Sequence, residues 1–350
     1  VPVRVGPGAP FADKTKTQAF RCGDMKSAFV FGCLVLGIIG GLLIEPRSVQ
    51  AGPAMVFDAG SSKIVYAEDA DRLWHPASLT KMMTAYLTFE ALKAGVITLQ
   101  SELIVSAQAH RQPPSKIGLP IGGKISVELG LKTLIVKSAN DVAVMLAEGI
   151  SGSEPDFVAR MNDTAKRLGM SKSRFYNPNG LPDARQVVTA RDMALLSQAL
   201  LKEYPEHAHY FAMPNVRIGK RRLRSHNDLL RTFDGANGMK TGFICASGYN
   251  VVATAIRDGR QLIAVVLGAK SSRLRRQRAS DLLEHGFQNY QWKDLLFKSS
   301  FVTDPVNQNE IRGPKNMRRL LRPYICGNRP PVQKRAKKRT AKKKKKQKKK

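Results

Sequence analysis

The chain has 350 residues, 43% of them hydrophobic, enough for one large domain or two ordinary ones with a substantial core. Its formal net charge is +31, of which 13 charges come from lysines and arginines between Lys334 and Lys350, leaving +18 over the rest. Such a surplus suits anionic partners (nucleic acid, anionic lipid or an acidic polymer), while the lack of a Cys/His cluster with zinc-ligand spacing excludes common metal-enzyme patterns.

Taken in chain order, Met25-Lys26 precede an apolar run from Ala28 to Ile44, followed by Glu45-Pro46-Arg47 and Val49-Gln50-Ala51. A basic start, an apolar core and small residues at −3 and −1 of a cut after Ala51 predict a secretory signal peptide. The run has 17 residues and four glycines, which is marginal for a spanning helix; an uncleaved anchor is the alternative. Residues 1–24 then read as an upstream extension. Either way the following domain is expected outside the cytoplasm, in the periplasm or on the outer face of the membrane. Cys245 and Cys326 are able to pair in such an oxidising compartment, although Cys326 lies in a Pro- and Arg-rich stretch, so the pairing stays open.

Strands are predicted at 54–57 and 63–66, joined by the turn-rich Asp58-Ala-Gly-Ser-Ser62. Helical periodicity then runs from Ser78 to Lys93, with further helices at 127–136, 141–150, 157–168 and 189–201. The segment Phe175-Tyr-Asn-Pro-Asn-Gly-Leu-Pro182 has the turn chemistry of an ordered loop. Short β-branched strands follow at 238–244, 248–255 and 261–267, the last two joined by Arg257-Asp-Gly-Arg260. A final helix covers about 273–290. Strands, a helical insert, then strands and a helix predict an α/β (α+β) domain over 52–292, its sheet assembled from both ends and flanked by helices. Residues 293–350 read as a disordered basic tail.

Three short motifs stand in order: Ser78-Leu79-Thr80-Lys81, Ser138-Ala139-Asn140 and Lys240-Thr241-Gly242. Each alone is weak, since a helix cap or a solvated lysine accounts for it; their joint order and setting carry the argument. Ser78 at a helix start lies near the positive end of the dipole, and Lys81, three residues on, returns to the same face. A serine hydroxyl needs a neighbouring base, and a lysine serves only when desolvation or nearby cations favour its neutral form. Ser138 is the candidate proton relay, Asn140 an amide donor and Lys240 the second cation. The third motif falls on a strand, whose edge suits an extended peptide substrate. The N–H groups of Ser78 and Phe243 are candidate oxyanion donors, and Gly242 permits close approach.

These motifs and their flanks, Pro76-Ala-Ser-Leu-Thr-Lys-Met-Met83 and Lys240-Thr-Gly-Phe-Ile-Cys-Ala-Ser-Gly-Tyr-Asn250, resemble the penicillin-binding D-alanyl-D-alanine carboxypeptidases of low molecular mass, from about Ala54 to Trp292. The resemblance implies a transpeptidase/β-lactamase-like fold with an inserted helical lobe and a substrate ending in D-Ala-D-Ala on a peptidoglycan stem peptide. It also implies an acyl-enzyme on Ser78, β-lactams as inhibitors, no cofactor and no metal. Arg275 matches the position of a carboxylate-binding arginine; the alternative is one more charge in the basic stretch Arg273–Arg278. Two departures stand out: Phe243 replaces a histidine found in some relatives, and the 58 residues after Trp292 are too few for the extra β-rich domain many carry. The lysine run is a candidate substitute for their membrane anchor, attracted to anionic lipid or envelope polymer.

Three competing readings follow. A β-lactamase would need a deacylating glutamate in a Glu-x-x-Leu-Asn stretch, and none of Glu148, Glu154, Glu203 or Glu206 sits in one. The basic tail suits a nucleic-acid-binding protein, but export separates the chain from most nucleic acid. A silent peptidoglycan-binding relative is at odds with the complete motif set. His75 could suggest a histidine base, yet no G-x-S-x-G elbow surrounds any serine.

Overall fold

The computed structural model describes residues 52–289, 300–305 and 312–326, the side chains of 323 and 324 excepted. The expected leader, Cys22, Cys33 and the lysine run 334–350 lie outside the described residues. Two N-terminal strands, β1 (Ala54–Asp58) and β2 (Ile64–Glu68), are followed by a 3₁₀ turn at Ala77–Thr80 and helix α1 (Lys81–Lys93). The helical lobe contains the small ribbon β3 (Glu102–Ile104) and β4 (Lys124–Ser126), then α2 (Val127–Val136), α3 (Asn140–Ser151), α4 (Glu154–Arg167) and α5 (Ala190–Glu203). A second ribbon, β5 (Asn215–Ile218) and β6 (Arg221–Arg224), leads to β7 (Ala236–Ile244), β8 (Gly248–Arg257), β9 (Arg260–Ala269) and α6 (Ser272–Asn289).

The main sheet is antiparallel with order β2-β1-β9-β8-β7, so both ends of the domain meet where β1 pairs with β9. Its central strand shows why the chain forms a layered core. Along β9, Leu262, Ala264 and Val266 face α6 and join Ala279, Leu282 and Leu283 in one apolar cluster. Ile263, Val265 and Leu267 point the other way, into the larger cluster that includes α1. Alternation of side chains along a strand delivers both sets, and a strand covered on both faces reads as a continuous apolar run. Helix α1 is buried almost all round, from Lys81 through Phe89, and so lies inside the core rather than on it.

Two boundaries differ from the sequence reading. Ser78 lies in the 3₁₀ turn, and the α-helix begins at Lys81. Ala77 holds φ +50°, and this left-handed residue after Pro76 prevents a regular helical entry at Ser78. Residues 300–305 and 312–326 pack on the domain instead of trailing from it. Val302, Met317 and Leu321 are buried, Ile64 N–H donates to Ser300 O at 2.8 Å, and Met317 N–H donates to Ala246 O at 2.9 Å. The pairing left open in the sequence is made: Cys245 and Cys326 form a disulfide that ties this segment to the end of β7. Among the described residues, no helix is long and apolar enough to cross a membrane.

Candidate active site

A cavity of about 480 Å³ opens where the turn after Pro76, the start of α3, the loop 177–181 and the edge strand β7 converge. Ser78, Ser138, Asn140, Thr241, Gly242 and Phe243 all line it, so the fold gathers three motifs from distant stretches of chain into one cleft. Arg275, at the first turns of α6, forms part of the same wall.

The Ser78 hydroxyl oxygen lies 3.1 Å from Lys81 Nζ, as expected for side chains three apart on a turn that runs into a helix. Lys81 is fully buried and also donates to Asn140 Oδ1 at 2.8 Å and to the carbonyl of Asn179. Asn140 is itself fixed, donating from Nδ2 to Pro113 O at 2.9 Å and from its backbone N–H to Ser115 O at 2.7 Å. Burial holds the Lys81 amine well below the ordinary lysine range, and the charge of Lys240 lowers it further. Asp141 opposes this shift more weakly, while its carboxylate accepts from the N–H groups of Ile117 and Gly118.

Lys240 is the second buried cation. Its Nζ donates to Ser138 Oγ at 2.9 Å and to Thr241 O at 3.0 Å. Burial pushes its pKa down to about 7, with Arg275 adding repulsion. Ser138 adopts φ +59°, a left-handed conformation in the short link between α2 and α3. Arg275 is buried, not part of a solvated basic face. It donates from Nη2 to His226 O at 3.0 Å and to Ser272 Oγ at 3.1 Å, and burial lowers its pKa to about 10. Both donations come from one nitrogen, and the guanidinium has five N–H groups to offer.

Close backbone approach accounts for two glycines. A Cβ at Gly242 would stand 3.0 Å from both Pro76 O and Ser78 N, so a side chain there would wedge β7 away from the turn. At Gly180, which has φ +81°, a Cβ would fall 1.8 Å from Ala77 O. The loop at 177–181 is therefore pressed backbone-to-backbone against the turn that carries Ser78. Gln186 secures this loop by accepting from Tyr176 N–H and Asn177 N–H at 2.8 and 3.1 Å, and Thr84 Oγ1 donates to Pro178 O at 2.6 Å.

Two residues of the site, Asn179 and His226, are not among those the sequence points to. The ordered loop containing Asn179 is expected, but a backbone carbonyl acting on Lys81 leaves no side-chain signature. His226 also lines the cavity, and its only sequence signal is its place shortly before a strand. Phe243 packs its ring against Tyr249, with centroids 4.3 Å apart. His75 lies 2.9 Å from Gln186 O through Nδ1, beside the entry to the turn. No cluster of three or more His, Cys, Asp or Glu suited to a metal is found among the described residues.

Comparison with known proteins agrees with this arrangement. The D-alanyl-D-alanine carboxypeptidase DacC of Escherichia coli K12 is 36% identical over 288 residues, spanning 80% of this chain and 72% of that protein. Penicillin-binding protein 5 from Haemophilus influenzae has a structure 34% identical with TM-score 0.66, covering 70% of this chain and 73% of that one. Penicillin-binding protein D2 from Listeria monocytogenes, solved in a cefotaxime-bound form, is 33% identical with TM-score 0.62, covering 68% of this chain and 97% of that one. The model of the S11 peptidases, described as D-alanyl-D-alanine carboxypeptidase, matches residues 43–271. With the motifs gathered in one cleft and the antiparallel sheet behind them, the chain belongs to the S11 family of D-alanyl-D-alanine carboxypeptidases.

Proposed function

We propose that this chain removes the terminal D-Ala from peptidoglycan stem peptides ending in D-Ala-D-Ala, through an acyl-enzyme on Ser78. The observation that carries this reading is the buried Lys81 amine, held toward its neutral form 3.1 Å from Ser78 Oγ. The neutral amine takes the hydroxyl proton as Oγ attacks the penultimate D-Ala carbonyl carbon. Negative charge then develops on the carbonyl oxygen, for which the N–H groups of Ser78 and Phe243 are the candidate donors. Collapse of the tetrahedral intermediate breaks the peptide bond as the proton taken up by Lys81 is relayed through Ser138, hydrogen-bonded to Lys240, to the leaving amine, and D-Ala departs. Water then adds to the ester carbonyl, with the same groups returning its proton and restoring Ser78.

Substrate orientation follows from β7 being the edge of the sheet, where an extended peptide can add as a further strand. Lys240, Thr241 and Arg275 are suited to the terminal carboxylate, and Asn140 to an amide of the stem peptide. A β-lactam presents a carbonyl and a carboxylate in a similar arrangement and would acylate the same serine. The reading also places the domain outside the cytoplasm, on the strength of the apolar segment 28–44, with the lysine run 334–350 drawn to anionic envelope material. The test is D-Ala release from a soluble pentapeptide. The wild type should release it and Ser78→Ala should not; equal release by both would refute the assignment. Rapid turnover of penicillin, instead of a long-lived adduct, would favour a β-lactamase.

A further inference from the structure

Beyond the cleft, the ribbon formed by β5 and β6 has no role in the reading given above. Five of its ten residues from Asn215 to Arg224 are cationic: Arg217, Lys220, Arg221, Arg222 and Arg224, and all five are exposed. None has an ion-pair or hydrogen-bond partner through its side chain among the described residues. Elsewhere on this protein exposed and half-buried arginines do find carboxylates, as Arg185 does with Asp183 and Arg257 with Glu284. The ribbon is therefore a concentration of unpaired charge, not a sample of an evenly mixed surface.

Its register sharpens the point. Arg217 sits directly opposite Arg222, and Asn215 opposite Arg224, so three guanidinium groups share one face. Val216 is buried on the opposite face, and β5 packs against α2, so the arginine face is turned to solvent by the ribbon's own alternation. Like charges placed directly across an antiparallel pair destabilise it. A ribbon that keeps such a pair without an acid to offset it is suited to an anion supplied from outside. Bidentate guanidinium groups in a row match carboxylates repeated along a polymer.

The position of the ribbon indicates which polymer. Arg224 is followed at once by Ser225 and His226, both in the cavity wall, and Arg275 donates to His226 O at 3.0 Å. The arginine face thus begins next to the cleft. We infer that the ribbon 215–224 is a docking surface for the carboxylate-bearing wall polymer itself, engaging anionic groups on the same or neighbouring strands while the cleft processes a peptide end. This inference rests on the peptidoglycan reading given above and adds to it a second, electrostatic site of contact.

The experiment uses the full chain, lysine run included, in which Arg217, Arg222 and Arg224 are replaced together by Gln, or together by Lys. Binding to purified, protein-free peptidoglycan should weaken about tenfold in the Gln variant at ~0.1 M salt and should be largely kept in the Lys variant. D-Ala release from a short soluble pentapeptide should stay within about twofold in both, which separates the ribbon from the cleft. The thermal midpoint of the Gln variant should not fall, because a repulsive cross-strand pair has been removed; a destabilised ribbon would instead lower it. As insurance against misfolding, the double variant Arg217→Gln/Arg222→Gln should weaken binding in the same direction. Undiminished wall binding by a folded Gln variant would overturn the inference. So would a loss confined to anionic vesicles or to duplex DNA, which would mark the ribbon as a lipid or nucleic-acid surface. Failure of wild-type D-Ala release would instead strike the functional reading, not the ribbon.

Discussion

Two groups of cations on this protein illustrate opposite uses of positive charge. In the cleft, Lys81, Lys240 and Arg275 are buried and hydrogen-bonded; burial disfavours the charge on all three, the charge of Lys240 lowers Lys81 further, and that of Arg275 lowers Lys240. On the ribbon, Arg217, Arg222 and Arg224 are exposed and unpaired, and their attraction to anions reaches only about 10 Å at ~0.1 M salt. Burial favours the neutral form of a lysine, while exposure leaves an arginine charged and screened by salt. The two regions should therefore respond differently to mutation, pH and salt.

The largest expected effect is at Lys81. Lys81→Ala should lower acylation by penicillin at least about 10³-fold, with the fold kept, as stopped-flow or gel-based labelling would record. Lys81→Arg should be nearly as damaging although it preserves charge, because a guanidinium does not surrender its proton. A substantially active arginine variant would break the comparison, since charge alone would then suffice in the cleft.

A smaller effect is expected at Lys240. Lys240→Gln keeps a donor for Ser138 and removes the charge, so KM for a peptide with a free carboxylate should rise about tenfold or more. The pH dependence follows in sign. Lys240, with its pKa lowered to about 7, is protonated and attractive to a carboxylate below that pH and loses the attraction as pH rises through it. In contrast, the depressed Lys81 pKa increases the supply of neutral base as pH rises. The kcat/KM profile of the free enzyme should thus have an acidic limb from Lys81 and an alkaline limb involving Lys240, and Lys240→Gln should flatten the latter. A profile unchanged in the variant would remove Lys240 from carboxylate recognition.

The smallest effect on catalysis is expected from the disulfide. Cys245→Ser/Cys326→Ser should cost about 2–4 kcal/mol of stability by denaturant unfolding, because the bond joins residues 81 apart and so closes a long loop in the unfolded chain. Acylation should change little while the domain is folded. A large loss of acylation with little loss of stability would mean that the 312–326 segment shapes the cleft directly, and would blur the distinction between cleft and periphery.

The sequence is most informative where function is local. Ser78 and Lys81 are three residues apart on one turn, so their proximity is a property of the backbone and is legible without tertiary structure. Strands β8 and β9 are equally plain, because short β-branched runs, apolar on both faces and bounded by Gly-containing turns, suit a covered strand far better than a helix. What escapes depends on long-range encounters. The carbonyl of Asn179 reaches Lys81 across 98 residues, and Cys245 meets Cys326 across 81, and neither distance is written in local propensity. The ribbon 215–224 is hidden for a different reason: its arginines mask the alternation, leaving Val216, Ile218 and Leu223 as the only apolar marks. The left-handed Ala77 is also hidden, and with it the 3₁₀ geometry that sets Ser78 against Gly242.

The central claim is that Ser78 is the nucleophile in a lysine-activated acyl transfer. Peptide mapping by mass spectrometry after incubation with penicillin tests it most directly. The account predicts one stable penicilloyl adduct per chain on the peptide containing Ser78, absent from Ser78→Ala and nearly absent from Lys81→Arg. An adduct on another residue, or labelling of Ser78→Ala at the wild-type rate, would contradict it.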